Sequence, residues 1–196
     1  MSLSRQKLTL IGIFALFMGP VILVMLMRSD WWQYQPAGMQ NKGHLIQPPL
    51  RLALDETEGI SGKWVVLYIL DQPCGQACLD HATNLRQIHT AAGRHRKHLA
   101  IALLTGPRLE TGTRSALESI YPEFVMLTEP APVVWQTLDT VNAQVPGQDN
   151  ALGPVHSYVL DPMLNLVLAY RASASPGDIH KDLRRLLKLA EQEKRG

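Results

Sequence analysis

Two stretches, "KWVVLYIL" (residues 63–70) and "HLAIALLT" (98–105), are of strand length and almost wholly apolar. A strand with one wet face alternates polar and apolar residues. One that is apolar at nearly every position is covered on both faces, as in a parallel sheet with helices above and below it. Between the two, residues 75–92 carry Cys78, Leu79, Ala82, Leu85, Ile88 and Ala92 at helical spacing, and Gly93 stands where a helix C-terminus favours it. The unit reads as strand, helix, strand with a right-handed crossover.

The chain beyond it continues the alternation. A helix is predicted around Arg114 to Ile120, a short strand at "FVMLT", and a helix from about Ala131 to Val141. After the breaker-rich "AQVPGQDNALGP", two strands, "HSYVLDP" and "LNLVLAYRA", are joined tightly at Asp161-Pro162-Met163-Leu164. The last helix has Ser175 as N-cap, Pro176 at its first position and Asp178 in its first turn. Its buried stripe is Ile179, Leu183, Leu186, Leu187 and Ala190, with Arg184, Arg185 and Lys188 mostly outside. A central mixed sheet with helices on both faces and an antiparallel edge pair is an α/β, thioredoxin-like arrangement.

Ahead of this domain, Leu8 to Met27 is a run without a charged residue, long enough to span roughly 30 Å of hydrocarbon as a helix. The run is too long for a signal peptide, and the Arg28-Ser29-Asp30 that follows offers no small-residue cleavage site. Arg5 and Lys7 precede it and Arg28 is offset by Asp30, so positive-inside logic keeps the N-terminus in the cytoplasm. The expected organisation is a cytoplasmic N-terminus over 1–7, a transmembrane anchor over 8–27, a tether over 28–58 and the thioredoxin-like domain over 59–196. In the tether the only extended piece expected is at Leu45-Ile46, before Pro48-Pro49. In a bacterium this is a single-pass protein of the inner membrane with its C-terminal domain in the periplasm, an oxidising compartment. A formal charge of +2 is too small to suggest a nucleic-acid partner.

The chain's only two cysteines, Cys74 and Cys78, follow the first apolar strand in "DQPCGQACLD". A structural disulfide, a redox pair and a pair of metal ligands all remain open to them. As a staple they would close a very small loop, with little entropic gain. At a helix N-terminus, unpaired N–H groups and the positive end of the dipole favour the thiolate, which is both the nucleophile of disulfide exchange and the form that binds metals. Residues four apart on a helix share a face, within reach of a disulfide. Two thiolates suit Cu(I), and an added imidazole also admits Cu(II).

Seven histidines could supply that imidazole. His81 and His89, on the helix the cysteines open, can be merely solvated. His95 and His98 belong to the basic "GRHRKH", which reads either as a wet loop or as a docking point for an acidic partner. His156 opens the strand "HSYVLDP", and in a thioredoxin-like fold the residues entering that strand face the cysteine helix.

Over about residues 45 to 190 the sequence resembles the Sco family of cytochrome oxidase assembly proteins. The likeness rests on a strand followed by CxxxC in "YILDQPCGQAC", on the extra "FVMLTE" strand with its helix, and on "HSYVLDP" followed by a second strand. It looks more like a small, divergent group of anchored Sco-like proteins associated with bacterial terminal oxidases, whose "NxGxLIxPP" is matched by Asn41, Gly43, Leu45, Ile46, Pro48 and Pro49. The resemblance implies a thioredoxin-like fold, a membrane anchor, and copper, Cu(I) or Cu(II), bound by Cys74, Cys78 and His156. It implies as partner a cytochrome oxidase subunit or another copper or thiol assembly protein. The role implied is maturation of a haem-copper oxidase, as copper chaperone or as thiol-disulfide reductase with Cys74 attacking and Cys78 resolving. General periplasmic thiol-disulfide exchange, or docking with an inert disulfide, are the alternatives.

Overall fold

Strand β2 (Trp64–Ile69) is buried along its middle and lies inside a six-stranded sheet of order β1-β6-β5-β2-β3-β4. The other strands are β1 (His44–Arg51), β3 (Leu99–Thr105), β4 (Val125–Thr128), β5 (Val155–Leu160) and β6 (Asn165–Arg171). Strand β3 is parallel to β2, from Trp64↔Leu99 to Ile69↔Leu104, and β4 is parallel to β3. On the other side β5 is antiparallel to β2, β6 to β5 and β1 to β6. The computed structural model describes residues 14, 16–19, 41–55, 57–70, 73–106, 109–128, 130–145 and 155–193.

The helices are α1 (Gln76–Ala91), α2 (Thr111–Ile120), α3 (Pro132–Gln144) and α4 (Pro176–Glu193), with a 3₁₀ helix at Gly93–His98. The period-two alternation of β2 divides the core. Val66, Tyr68 and Leu70 pack with Ala82, Leu85 and Ile88 of α1, Leu117 of α2 and Leu183 of α4. Val65 and Leu67 pack with Val134, Leu138 and Val141 of α3. Helices therefore cover both faces, as the apolar runs require, and the fold is thioredoxin-like. The punctuation expected at three points is in place. Gly93 follows α1 with φ +54, a left-handed conformation that glycine adopts without steric cost. The Asp161 carboxylate accepts the Met163 and Asn165 N–H groups in the β5–β6 turn. At the start of α4 the Ser175 hydroxyl accepts the Asp178 N–H at 3.2 Å.

The chain divides into two compact units, Met1–Gln40 and Asn41–Gly196. In the first, the described residues are helical, and Phe14, Leu16 and Phe17 are exposed. Among the described residues no helix is long and apolar enough to cross a membrane. The expected anchor over 8–27 lies otherwise outside them, as do residues 1–7 and the orientation they imply.

The tether expected over 28–58 is not featureless. Its His44–Arg51 stretch is the edge strand β1, with Ile46 and the following Leu52 in the core. Prolines cannot donate to a ladder, so Pro48 and Pro49 argue against a strand; an edge tolerates them, and pairing with β6 breaks between Leu45 and Leu50 to let them pass. The start of this strand is fixed by a buried carboxylate. Asp182 of α4 accepts the Lys42 N–H at 2.7 Å, the Gly43 N–H at 3.0 Å and the Tyr170 hydroxyl at 3.0 Å, all on Oδ2. Burial, reinforced by the Asp182 charge, raises the Tyr170 phenol far above its ordinary range, so it remains a donor.

Gly43 is where this arrangement tolerates least change, because a Cβ there would lie 2.6 Å from the ring of Tyr170, itself buried. Gly43→Ala should cost about 1–3 kcal/mol, as overpacking of a filled core does. Urea unfolding will show it, with Leu189→Ala, at an exposed position of α4, close to unchanged.

Candidate active site at the paired cysteines

Helix α1 begins without a side-chain cap and without an acidic residue in its first turn. Gly75 occupies the N-cap in extended conformation, and its carbonyl accepts the Cys78 and Leu79 N–H groups at 3.1 and 3.2 Å. Cys74 stands just before the cap and Cys78 within the first turn. No carboxylate or hydroxyl of this turn competes for the positive end of the helix, which is left to the sulfurs.

The two cysteines form a disulfide, with Cα atoms 5.3 Å apart. Cys78 is buried against the Tyr68 face of the sheet, while Cys74 is half-buried at its margin. A buried inner sulfur and an accessible outer one is the asymmetry that thiol–disulfide exchange needs, because an incoming sulfur has to reach one member of the pair.

His156 reaches this face through an irregularity of β5. Between Val155↔Arg171 and Ser157↔Tyr170 the strand advances two residues while β6 advances one, which makes His156 the extra residue of a bulge. Simple alternation would send it to the α3 side with Tyr158 and Leu160; the bulge re-aims it. Its ring lies 6.2 Å from that of Tyr68, tilted by 58°, and Tyr68 packs in the same cluster as both cysteines.

The expected copper set does not form in this state. The sulfurs are bonded to each other, so neither is a thiolate, and among the described residues no three His, Cys, Asp or Glu side chains are grouped to hold a metal ion. Reduction would have to come first.

His81 and His89 are not simply solvated. His81 stacks on Tyr68 with ring centroids 4.2 Å apart. His89 is buried, with Nε2 donating to the Leu99 carbonyl at 2.9 Å; Nδ1 then accepts the Tyr121 hydroxyl at 2.7 Å. A carbonyl can only accept, which assigns the tautomer. His89 is thus structural, a tie between α1 and the start of β3.

Tyr68, whose ring meets the imidazoles of His81 and His156 and which packs in the same cluster as the cysteines, is the residue that sequence reasoning passed over. Its signal was present: it is the one side chain of β2 with a hydroxyl, six residues before Cys74, on the face that alternation assigns to α1.

Once reduced, the pair should react unequally. Iodoacetamide should modify Cys74 in the Cys78→Ser variant faster than Cys78 in the Cys74→Ser variant, followed by mass spectrometry at neutral pH. The reverse order would place the accessible sulfur at Cys78.

The thioredoxin-like frame is shared with solved structures of low identity. Apo Sco1 from Thermus thermophilus is 15% identical, aligning over 76% of this chain and 95% of its own with a TM-score of 0.50. A SCO1/SenC family lipoprotein from Bacillus anthracis is 17% identical over 72% of this chain and 98% of its own, also with a TM-score of 0.50. No curated protein matches the chain. Residues 64–190, from the first residue of β2 to the last turns of α4, match the family described as transmembrane-like, thioredoxin-like, C-terminal domain, and the chain belongs to that family.

Proposed function

We propose that the protein is a membrane-anchored thiol–disulfide reductase that serves the maturation of a haem-copper oxidase, acting through Cys74 and Cys78. The observation that carries this reading is the disulfide at the uncapped start of α1, with Cys78 buried and Cys74 only half-buried. In the reduced protein the Cys74 thiolate attacks a disulfide of the client, forming a mixed disulfide and releasing one client thiolate, which takes up a proton. Cys78, deprotonated in its turn, then attacks Sγ of Cys74; the Cys74–Cys78 bond forms and the second client sulfur leaves. Two electrons pass to the client, and an external dithiol returns them to the pair.

A second reading has copper as cargo of the reduced pair. Two thiolates and the imidazole of His156 are a donor set suited to Cu(I) and Cu(II), and the bulge that turns His156 toward the Tyr68 face favours it. The resemblance to Sco proteins supports the oxidase, and a cytochrome oxidase subunit or another copper or thiol assembly protein is the partner this implies. Copper loading of the reduced chain separates the readings. If copper is cargo, one ion binds per chain, and His156→Ala weakens Cu(II) at least about tenfold while changing Cu(I) little, because Cu(I) is content with two thiolates. If the reduced protein binds no copper yet exchanges disulfides with glutathione, it is a reductase alone. Failure of both would leave the disulfide an inert staple and remove the proposal.

The anchor is part of the same proposal. The uncharged run of 8–27 and the exposed Phe14, Leu16 and Phe17 support a helix in lipid. Arg5 and Lys7 support export of everything after it, to the periplasmic side of a bacterial inner membrane. A phosphatase reporter fused after Gly196 should be active, since that reporter works only outside the cytoplasm. Activity of a β-galactosidase fusion instead would reverse the orientation and remove the oxidising surroundings.

A further inference from the structure

At the end of α1 remote from the cysteines, the helix meets the 3₁₀ helix Gly93–His98 and the flank of α4, leaving a groove between them. Its floor is apolar: Ile88, Leu99, Leu183 and Leu187 line it. Its walls are cationic. Lys181, Arg184, Arg185 and Lys188 stand at helical spacing along exposed α4, and Arg94 faces them from the 3₁₀ helix. One of these cations, Arg94, is met by a carboxylate of α4. Asp182 is turned inward to Gly43, Asp178 bonds Ser175 at the helix start, and Glu191 pairs with Arg94 and His95 at 3.5 and 3.2 Å. Among the described residues, Lys181, Arg184 and Lys188 have no ion pair. A second, shallower groove adjoins the first, shares Arg94 and Leu99 with it, and adds Lys97 together with Arg96, which is paired with Glu123.

We infer that this groove is a docking site for an acidic amphipathic segment of a partner protein, separate from the redox site. Clustered like charges on one face repel, which is a standing cost unless an opposite charge completes them. An occupant with carboxylates along its edges and leucine-like side chains beneath would satisfy both walls and floor, as a helix laid into a groove does. The concavity favours such a segment over an anionic membrane, because a flat lipid surface meets protruding cations and leaves a groove floor empty. The position also matters. From Cys78 to Ala92 is about 20 Å along α1 at helical rise, so a partner held here leaves Cys74 and Cys78 uncovered. Docking and thiol chemistry can then engage different parts of one client at the same time.

The test uses the full chain in neutral phosphatidylcholine nanodiscs. The probe is a short fluorescein-labelled peptide of glutamate and alanine with leucine at every third or fourth position, read by anisotropy. The peptide should bind, weaken with added potassium chloride as screened charges do, and lose about tenfold or more in affinity in the Arg184→Glu/Lys188→Glu variant. Arg51→Glu, an exposed cation on β1 outside the groove, should bind as the parent does. Because both altered residues are solvent-facing, far-ultraviolet circular dichroism should stay unchanged. Equal loss in the Arg51 variant would overturn the inference, as would no binding at all. If the peptide fails and anionic phosphatidylglycerol nanodiscs alone shield α4 from hydrogen exchange in the parent but not in the double variant, the face belongs to lipid and the inference is wrong.

Discussion

Everything near the paired cysteines depends on β2 being covered on both faces. A strand hydrogen-bonded to β3 on one side and β5 on the other, with α1 above and α3 below, cannot shift register without exposing a row of large side chains. That rigidity is handed on to whatever follows the strand. Cys74 and Cys78 come directly after it, and the parallel partner β3 forces the chain to cross over as a helix, so the sulfurs are held at a helix start by the same packing that forms the core. The assignment of Tyr68 to the cysteine face is a further product of that register.

The parts of this architecture that were legible in the sequence are those with a strong local period. The apolar runs of β2 and β3, the helical stripe of α1 and the cap of α4 each reveal themselves within a single element. What was not legible depends on contacts between distant elements. Strand β1 has two prolines and no alternation, and it exists because β6 offers an edge and Asp182 offers an acceptor far along the chain. His89 has the composition of a wet helix residue; only its meeting with Tyr121 and the Leu99 carbonyl makes it a core group.

For the candidate site the sequence offers the cysteines through their position between strand and helix, which is a local fact. It offers His156 at the entry to β5, but what turns the ring toward Tyr68 is a bulge, and bulges leave little trace in an apolar run. Tyr68 and His81 came together through tertiary packing. Their stacking fixes the Tyr68 ring on the face against which Cys78 packs.

The three bonds on Asp182 also have a mechanical meaning. Strand β1 is an edge strand whose first residues lead back toward the N-terminal unit, so tension on that connection would peel it from β6 one pair at a time, starting at His44↔Ala169. Lys42 and Gly43 lie ahead of that first pair and are held by a carboxylate rooted in α4. A pull is therefore met by a clamp before it reaches the zipper, and the load is diverted into a helix packed across the sheet. A domain fastened in this way keeps its edge strand in register under load, and the sheet that seats the paired cysteines keeps its shape.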